Sequence, residues 1–254
     1  YKIRGNIKQS VCYWCYQGKF TLERLAPAVK KLGYQSIELL VPEQILTVKR
    51  FGLTCAIMGG ADIANGLNRK ANHLPIEKHL RNYIEFAAAH DVPNVICMSG
   101  NRKGMGDDEG LANCAVGLKR VLGYAEEKKV TLCMEGLNSK VDHKDYMYDH
   151  TRWGVDLCKK LGSPRFKLLY DIYHMQIMEG DVIRTIRAYK DYIGHYHTGG
   201  NPGRNEIDDS QELNYKAVVK AIVGTGYKGF ISQEFLPKRD PLKSLAEAFR
   251  ICDV

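Results

Sequence analysis

Apolar residues recur along the chain in short dense runs, separated by longer stretches in which they return every three or four positions. The runs are IKQSVCYW (7–14), SIELL (36–40), TCAIMGG (54–60), NVICMSG (94–100), TLCMEGLN (131–138), FKLLYDIYH (166–174), IGHYHTGG (193–200) and GFISQEF (229–235). Short apolar runs bounded by turn residues predict β-strands, and the three-to-four spacing between them predicts amphipathic helices. Eight such alternations define an α/β chain. They point to a closed parallel (β/α)8 barrel rather than an open sheet.

Punctuation supports the helices. Thr21 stands before the first and Gly33 after it, Asn72 and Pro75 mark the start of the third, and Asp240 with Pro241 opens the last. Gly162 and Gly226 close two others. No repeat or linker divides the 254 residues, so one barrel domain over 1–254 is expected, close to the roughly 250 residues typical of that fold. The longest loops follow the fifth and seventh strands, LNSKVDHKDYMYDH and GGNPGRNEIDDSQELN. Loops after the strands are where barrels build their sites.

Composition removes several alternatives. With 44% hydrophobic and 26% charged residues and no low-complexity tract, disorder is not expected to dominate. No apolar stretch approaches the ~20 residues of a membrane helix, so no membrane partner is expected. The net charge of +8 is interspersed with acids, as in YAEEKKV, and reads as solvated helix faces; no nucleic acid partner is expected, and a small anionic substrate is compatible. The cytoplasm is the default compartment, with the periplasm the expectation if an export leader preceded Tyr1. A homo-oligomer is compatible with such a barrel, but no residue marks an interface. The eight cysteines are too sparse for a disulfide framework. Within one strand Cys12 and Cys15 would face opposite sides, which makes them packing residues unless a turn intervenes.

Chemistry concentrates at four strand ends. Glu135 (CMEGLN), Asp171 (LLYDIYH), His197 (GHYHTGG) and Glu234 (SQEF) close four consecutive strand candidates, and parallel barrel strands bring such ends to one mouth. Three like charges packed together are unfavourable without a cation, so the set predicts one divalent metal. Its oxygen-rich character suits Mn²⁺ or Mg²⁺, with Zn²⁺ or Co²⁺ compatible. Strand parity places His195 on the same inward face, one layer deeper than His197. There it is either a hydrogen-bonded interior histidine or a substrate contact. Trp14, with Tyr13 and Tyr16, offers an apolar wall to the mouth, and Arg204 a planar fork for a substrate carboxylate. Arg102 and Lys103 are weaker cationic candidates, more simply read as loop charge.

In order and context, CMEGLN, YDIYHMQ, GHYHTGGNPGRNE and SQEF resemble hydroxypyruvate isomerase and its relatives among the xylose isomerase-like sugar isomerases and epimerases. The resemblance spans essentially the whole chain. It implies that Glu135, Asp171, His197 and Glu234 hold the metal, that Glu135 and Glu234 are the catalytic proton-transfer pair, and that His174 and Arg204 contact substrate oxygens. The implied reaction passes through an enediolate of a small hydroxy-carbonyl or sugar substrate, with hydroxypyruvate giving tartronate semialdehyde. His197 stands where hydroxypyruvate isomerases tend to carry an amide and ketose 3-epimerases a histidine, while the PGR-x-E loop is isomerase-like. A ketose or inosose epimerase is therefore the close rival. More distant are a barrel-fold DNA repair endonuclease and a non-catalytic sugar-binding barrel.

Overall fold

The computed structural model describes residues 1–254. Eight strands, β1 (Lys8–Cys12), β2 (Ser36–Glu38), β3 (Ile57–Met58), β4 (Asn94–Cys97), β5 (Thr131–Glu135), β6 (Phe166–Asp171), β7 (Ile193–His197) and β8 (Phe230–Gln233), run in the sheet order β2-β1-β8-β7-β6-β5-β4-β3. Every pairing is parallel. The remaining seam, between β2 and β3, is crossed by isolated parallel bridges, Ser36 with Thr54 and Leu40 with Met58. Backbone bonds from Leu39 N to Ile57 O (2.9 Å) and from Gly59 N to Leu40 O (3.1 Å) bring the sheet around into a barrel.

Nine α-helices surround it: α1 (Leu22–Leu32), α2 (Pro42–Arg50), α3 (His73–Ala89), α4 (Asp107–Lys128), α5 (Thr151–Leu161), α6 (Ile172–Met178), α7 (Val182–Tyr189), α8 (Tyr215–Gly224) and α9 (Pro241–Cys252). Their apolar spacing is what seats them. In α1 the buried residues are Leu22, Leu25, Ala26 and Val29, one stripe of a 3.6-residue repeat. Burying each large side chain of such a stripe contributes about 1.5–3 kcal/mol. Gly33 ends α1 in the left-handed region at φ 110°, where an added Cβ would also meet the Phe249 ring at 2.6 Å. Asp240 caps α9, accepting from Leu242 N (3.1 Å) and Lys243 N (2.9 Å). No helix is long and apolar enough to cross a membrane.

The strands are shorter than the apolar runs that predict them. Barrel pairing covers two to six residues per strand; much of the rest of the runs after β4 to β8 stays buried as the chain turns out of the ladder, whereas Trp14 after β1 and Gly60 after β3 are exposed. Ile172–His174 start α6 instead of extending β6, because the Asp171 carboxylate accepts from His174 N (2.9 Å) and caps the new helix. Tyr13–Cys15 form a 3₁₀ turn after β1. Cys12 and Cys15 therefore lie on strand and turn, and all eight cysteines are free and buried.

Arg102 is a loop strap. It donates to Tyr146 O (2.7 Å) and Met147 O (3.1 Å) and pairs with Asp107 (2.8 Å) and Asp149 (3.2 Å). With those bonds it ties the loop after β4 to residues 136–150 after β5. Lys103 reaches Asn65 Oδ1 at the exposed surface.

Candidate metal and active site

The four strand-end residues meet. Glu135 ends β5, Asp171 ends β6 and stands in register with His197 at the end of β7, and Glu234 follows β8 directly. One ligand atom from each lies within 4.8 Å of the others, and all four side chains are buried. His197 Nδ1 is 2.5 Å from Glu234 Oε2, 3.4 Å from Glu135 Oε1 and 3.8 Å from Asp171 Oδ2. Nδ1 nevertheless has no hydrogen-bond partner, since the near carboxylate oxygens lie out of alignment with it. Three hard carboxylates around a buried, unpartnered imidazole nitrogen fit a divalent cation held by oxygen and nitrogen.

Electrostatics separates the two glutamates. Burial, then the charge of Glu234, pushes the Glu135 carboxyl up to about 8. For Glu234 burial acts in the same direction, but the Arg204 guanidinium and His197 overcome it and hold the carboxylate well below its usual range. Arg204 Nη2 donates to Asp171 Oδ2 (2.6 Å) and to Glu234 Oε2, while its guanidinium carbon sits 4.6 Å above the Tyr173 ring. Trp14 Nε1 donates to Glu234 Oε1 (2.8 Å).

His174 is oriented by the loop after β5. Its Nδ1 accepts from Asn138 N (3.1 Å) and Nδ2 (2.7 Å), which leaves the ring proton on Nε2. Burial drives its pKa down to about 3, so it is a neutral donor over the ordinary pH range. A cavity of about 580 Å³ opens beside the cluster, lined on its polar side by Glu135, Glu234, His174 and Arg204 and on its apolar side by residues including Trp14 and Leu236. A smaller cavity of about 280 Å³ against α3 contains none of the four candidate ligands.

Most residues singled out in the sequence thus gather here: Glu135, Asp171, His197 and Glu234 as a cluster, with His174, Arg204 and Trp14 around it. His195 corrects one expectation. It is fully buried away from the cavity, and its Nε2 lies 2.7 Å from Glu38 Oε2, which makes it an interior histidine rather than a substrate contact. Parity alone cannot separate the two, because the layer below the mouth is closed by side chains from other strands. Tyr16 is likewise fully buried. Two residues were not singled out. Glu38 carried the signal used for the other acids, a charge inside an apolar strand run (SIELL). Asn138 carried none.

Arg204 depends on a tight return of the loop after β7. Gly200 N donates to Asn205 O (2.8 Å), and a Cβ at Gly200 would stand 2.1 Å from Glu206 O. Gly200→Ala must push this backbone apart. The expected cost is about 1–3 kcal/mol, read as a lower urea midpoint at unchanged slope.

Fold and cluster together define a (β/α)8 barrel that gathers metal-type ligands at the carboxyl ends of its strands. The chain belongs to the xylose isomerase-like TIM barrel family, which residues 26–252 match. It is similar to the putative hydroxypyruvate isomerase of Homo sapiens, 27% identical over 173 residues that make up 66% of this chain and 62% of that protein. It is also similar to the 2-oxo-tetronate isomerase of Cupriavidus necator, 29% identical over 233 residues, 85% of this chain and 87% of that protein. The chain therefore spans about three fifths of the human relative and most of the bacterial one. Among solved structures, AP endonuclease family 2 from Brucella melitensis superposes with a TM-score of 0.85 at 20% identity, covering 95% of this chain and 97% of that one. The 3-keto-D-glucoside 4-epimerase from E. coli gives 0.82 at 19%, covering 97% and 100%. At these identities the structures establish the fold.

Proposed function

We propose that this chain is a divalent-metal-dependent isomerase that moves a proton between the carbons of a hydroxy-carbonyl compound through an enediolate, with hydroxypyruvate to tartronate semialdehyde as its reaction. The observation that carries the reading is the convergence of Glu135 and Glu234 with Asp171 and His197 beside one cavity. Held by Glu135, Asp171, His197 and Glu234, a cation such as Mn²⁺ or Mg²⁺ would supply Lewis-acid polarisation of the substrate carbonyl.

The side chains divide the remaining work. Glu234, as carboxylate, takes a proton from the hydroxyl-bearing carbon, Glu135, as acid, returns one to the former carbonyl carbon, and proton exchange of both carboxyls with solvent restores the starting pair. The hydroxyl proton passes to the former carbonyl oxygen, so that the product is an isomer with no net gain or loss of atoms. His174 Nε2–H donates to a substrate oxygen and needs no change of protonation to do so. Arg204 keeps Glu234 ionised and fixes its orientation. Trp14 holds the other oxygen of the same carboxylate and covers the reacting carbons from water.

A specific observation favours epimerisation of an uncharged ketose as the second reading. Arg204 is the only Lys or Arg lining the cavity, and it is already engaged by Asp171 and Glu234, so a substrate carboxylate meets no free cation. At the ~30 Å³ that a water occupies in the liquid, a seven-atom acid fills roughly 200 Å³ at most. The cavity is about 580 Å³. The same glutamate pair would then work on opposite faces of one carbon.

Metal analysis followed by deuterium wash-in from D₂O over hydroxypyruvate, ketoses and inososes tests both readings. One divalent cation per chain, with exchange lost on chelation and restored by Mn²⁺, is expected. Bound metal without exchange into any of these compounds would instead favour a binding barrel, and exchange that survives chelation would remove the metal from the scheme.

A further inference from the structure

His195 and Glu38 take no part in the proton transfers, yet they are built into the wall directly behind His197. Glu38 ends β2 and is completely buried. One of its oxygens, Oε2, lies 2.7 Å from His195 Nε2 and 2.7 Å from His197 Nε2. The two rings approach it nearly at right angles, with an interplanar angle of 82° and centroids 5.1 Å apart.

A carboxylate only accepts hydrogen bonds, so both imidazoles must present Nε2–H to it. An imidazole that ligates a cation through one nitrogen is neutral and keeps one N–H. With that proton committed to Glu38, His197 Nδ1 is left with its lone pair, on the side where Glu135, Asp171 and Glu234 converge. We propose that Glu38, steadied by His195, is a positioning residue that fixes the tautomer and ring orientation of His197 so that Nδ1 is the ligand atom. This rests on the reading that the four-residue cluster binds a divalent cation. It also accounts for the H-Y-H spacing in β7: two positions along a strand return to the same face, so one carboxylate can take a bond from both rings. Cys12 Sγ lies 3.7 Å from His197 Nε2 and 3.8 Å from Glu38 Oε2. On this assignment Cys12, Glu38 and His197 would not form a second metal site, because the nitrogen facing them would carry the proton.

Gln at position 38 is nearly isosteric but can turn its amide NH₂ toward His197 Nε2. That would draw the lone pair to Nε2 and leave Nδ1–H facing the cluster. Ligand-orienting partners of this kind alter metal affinity by about 10–100-fold. Calorimetric titration of Mn²⁺ into the metal-free chain should show Glu38→Gln weakened by that factor and Glu38→Asp by less, with thermal melts verifying that each variant is folded. A second measurement needs no variant: ¹⁵N–¹H spectra of the Zn²⁺-loaded wild type should show His197 protonated at Nε2, with that proton shifted downfield by its bond to Glu38. Equal Mn²⁺ affinity of wild type and a folded Glu38→Gln, or a His197 proton found on Nδ1, would overturn the assignment while leaving the metal site intact. A wild type that binds no divalent cation would overturn both.

Discussion

Glu234→Gln and Glu135→Gln are each expected to lower solvent-deuterium incorporation into substrate by about 10²–10⁴-fold, the range supplied by a positioned acid or base. The two losses should differ in character. Glu135 accepts from no guanidinium or indole, so its amide leaves no such donor mismatched, and the loss should fall on kcat. Glu234 accepts from Arg204 on one oxygen and Trp14 on the other, so the NH₂ of its amide also mismatches one of the two donors, and KM should rise as kcat falls. Both variants must be assayed at saturating Mn²⁺, because each also removes a candidate ligand charge. Exchange at the wild-type rate in either one sinks the two-glutamate scheme.

Arg204→Ala carries the second large effect, on the metal-free protein. The guanidinium and its partners Asp171 and Glu234 are all buried, so removing it leaves two carboxylates without their cation in a low-dielectric interior. Breaking a buried pair in this way costs about 3–5 kcal/mol. For a chain of this size that is roughly 6–20 °C in Tm. Added Mn²⁺ should restore much of the loss, since the same two carboxylates belong to the proposed metal cluster. The check is a pair of melting curves, with and without the ion. A metal-free variant that melts together with wild type would mean that the pair contributes nothing to stability.

The parts of this molecule that could be read from its sequence are those where one physical rule acts alone. Eight apolar runs alternating with helical spacing sufficed for the barrel, and charges at the ends of Glu135, Asp171, His197 and Glu234 runs sufficed for the cluster, because an unpaired charge in an apolar strand is costly wherever it occurs. Strand ends were overrun. Most residues that leave the ladder after β4 to β8 remain buried, so their hydrophobicity does not reveal where pairing stops, and Asp171 doubles as a helix cap, which converts the end of its run into α6. His195 could not be assigned because its duty is set by Glu38, 157 positions away, and no local spacing encodes that meeting. Arg102 similarly became a loop strap only once Asp107, Asp149 and two carbonyls were folded around it.

The seam between β2 and β3 has a consequence for the site. Here isolated bridges, rather than a named ladder, join the two end strands of the sheet, and an interruption in the pairing is a place where local opening can start. Glu38 is the last residue of β2, on that seam. A fluctuation that opens the barrel at its joint would therefore move the carboxylate that both histidines of β7 share, so that the closure of the fold and the orientation of His197 become one variable. Amide exchange at Leu39 and Gly59, which bridge the joint, would report how often the barrel releases its hold on His197.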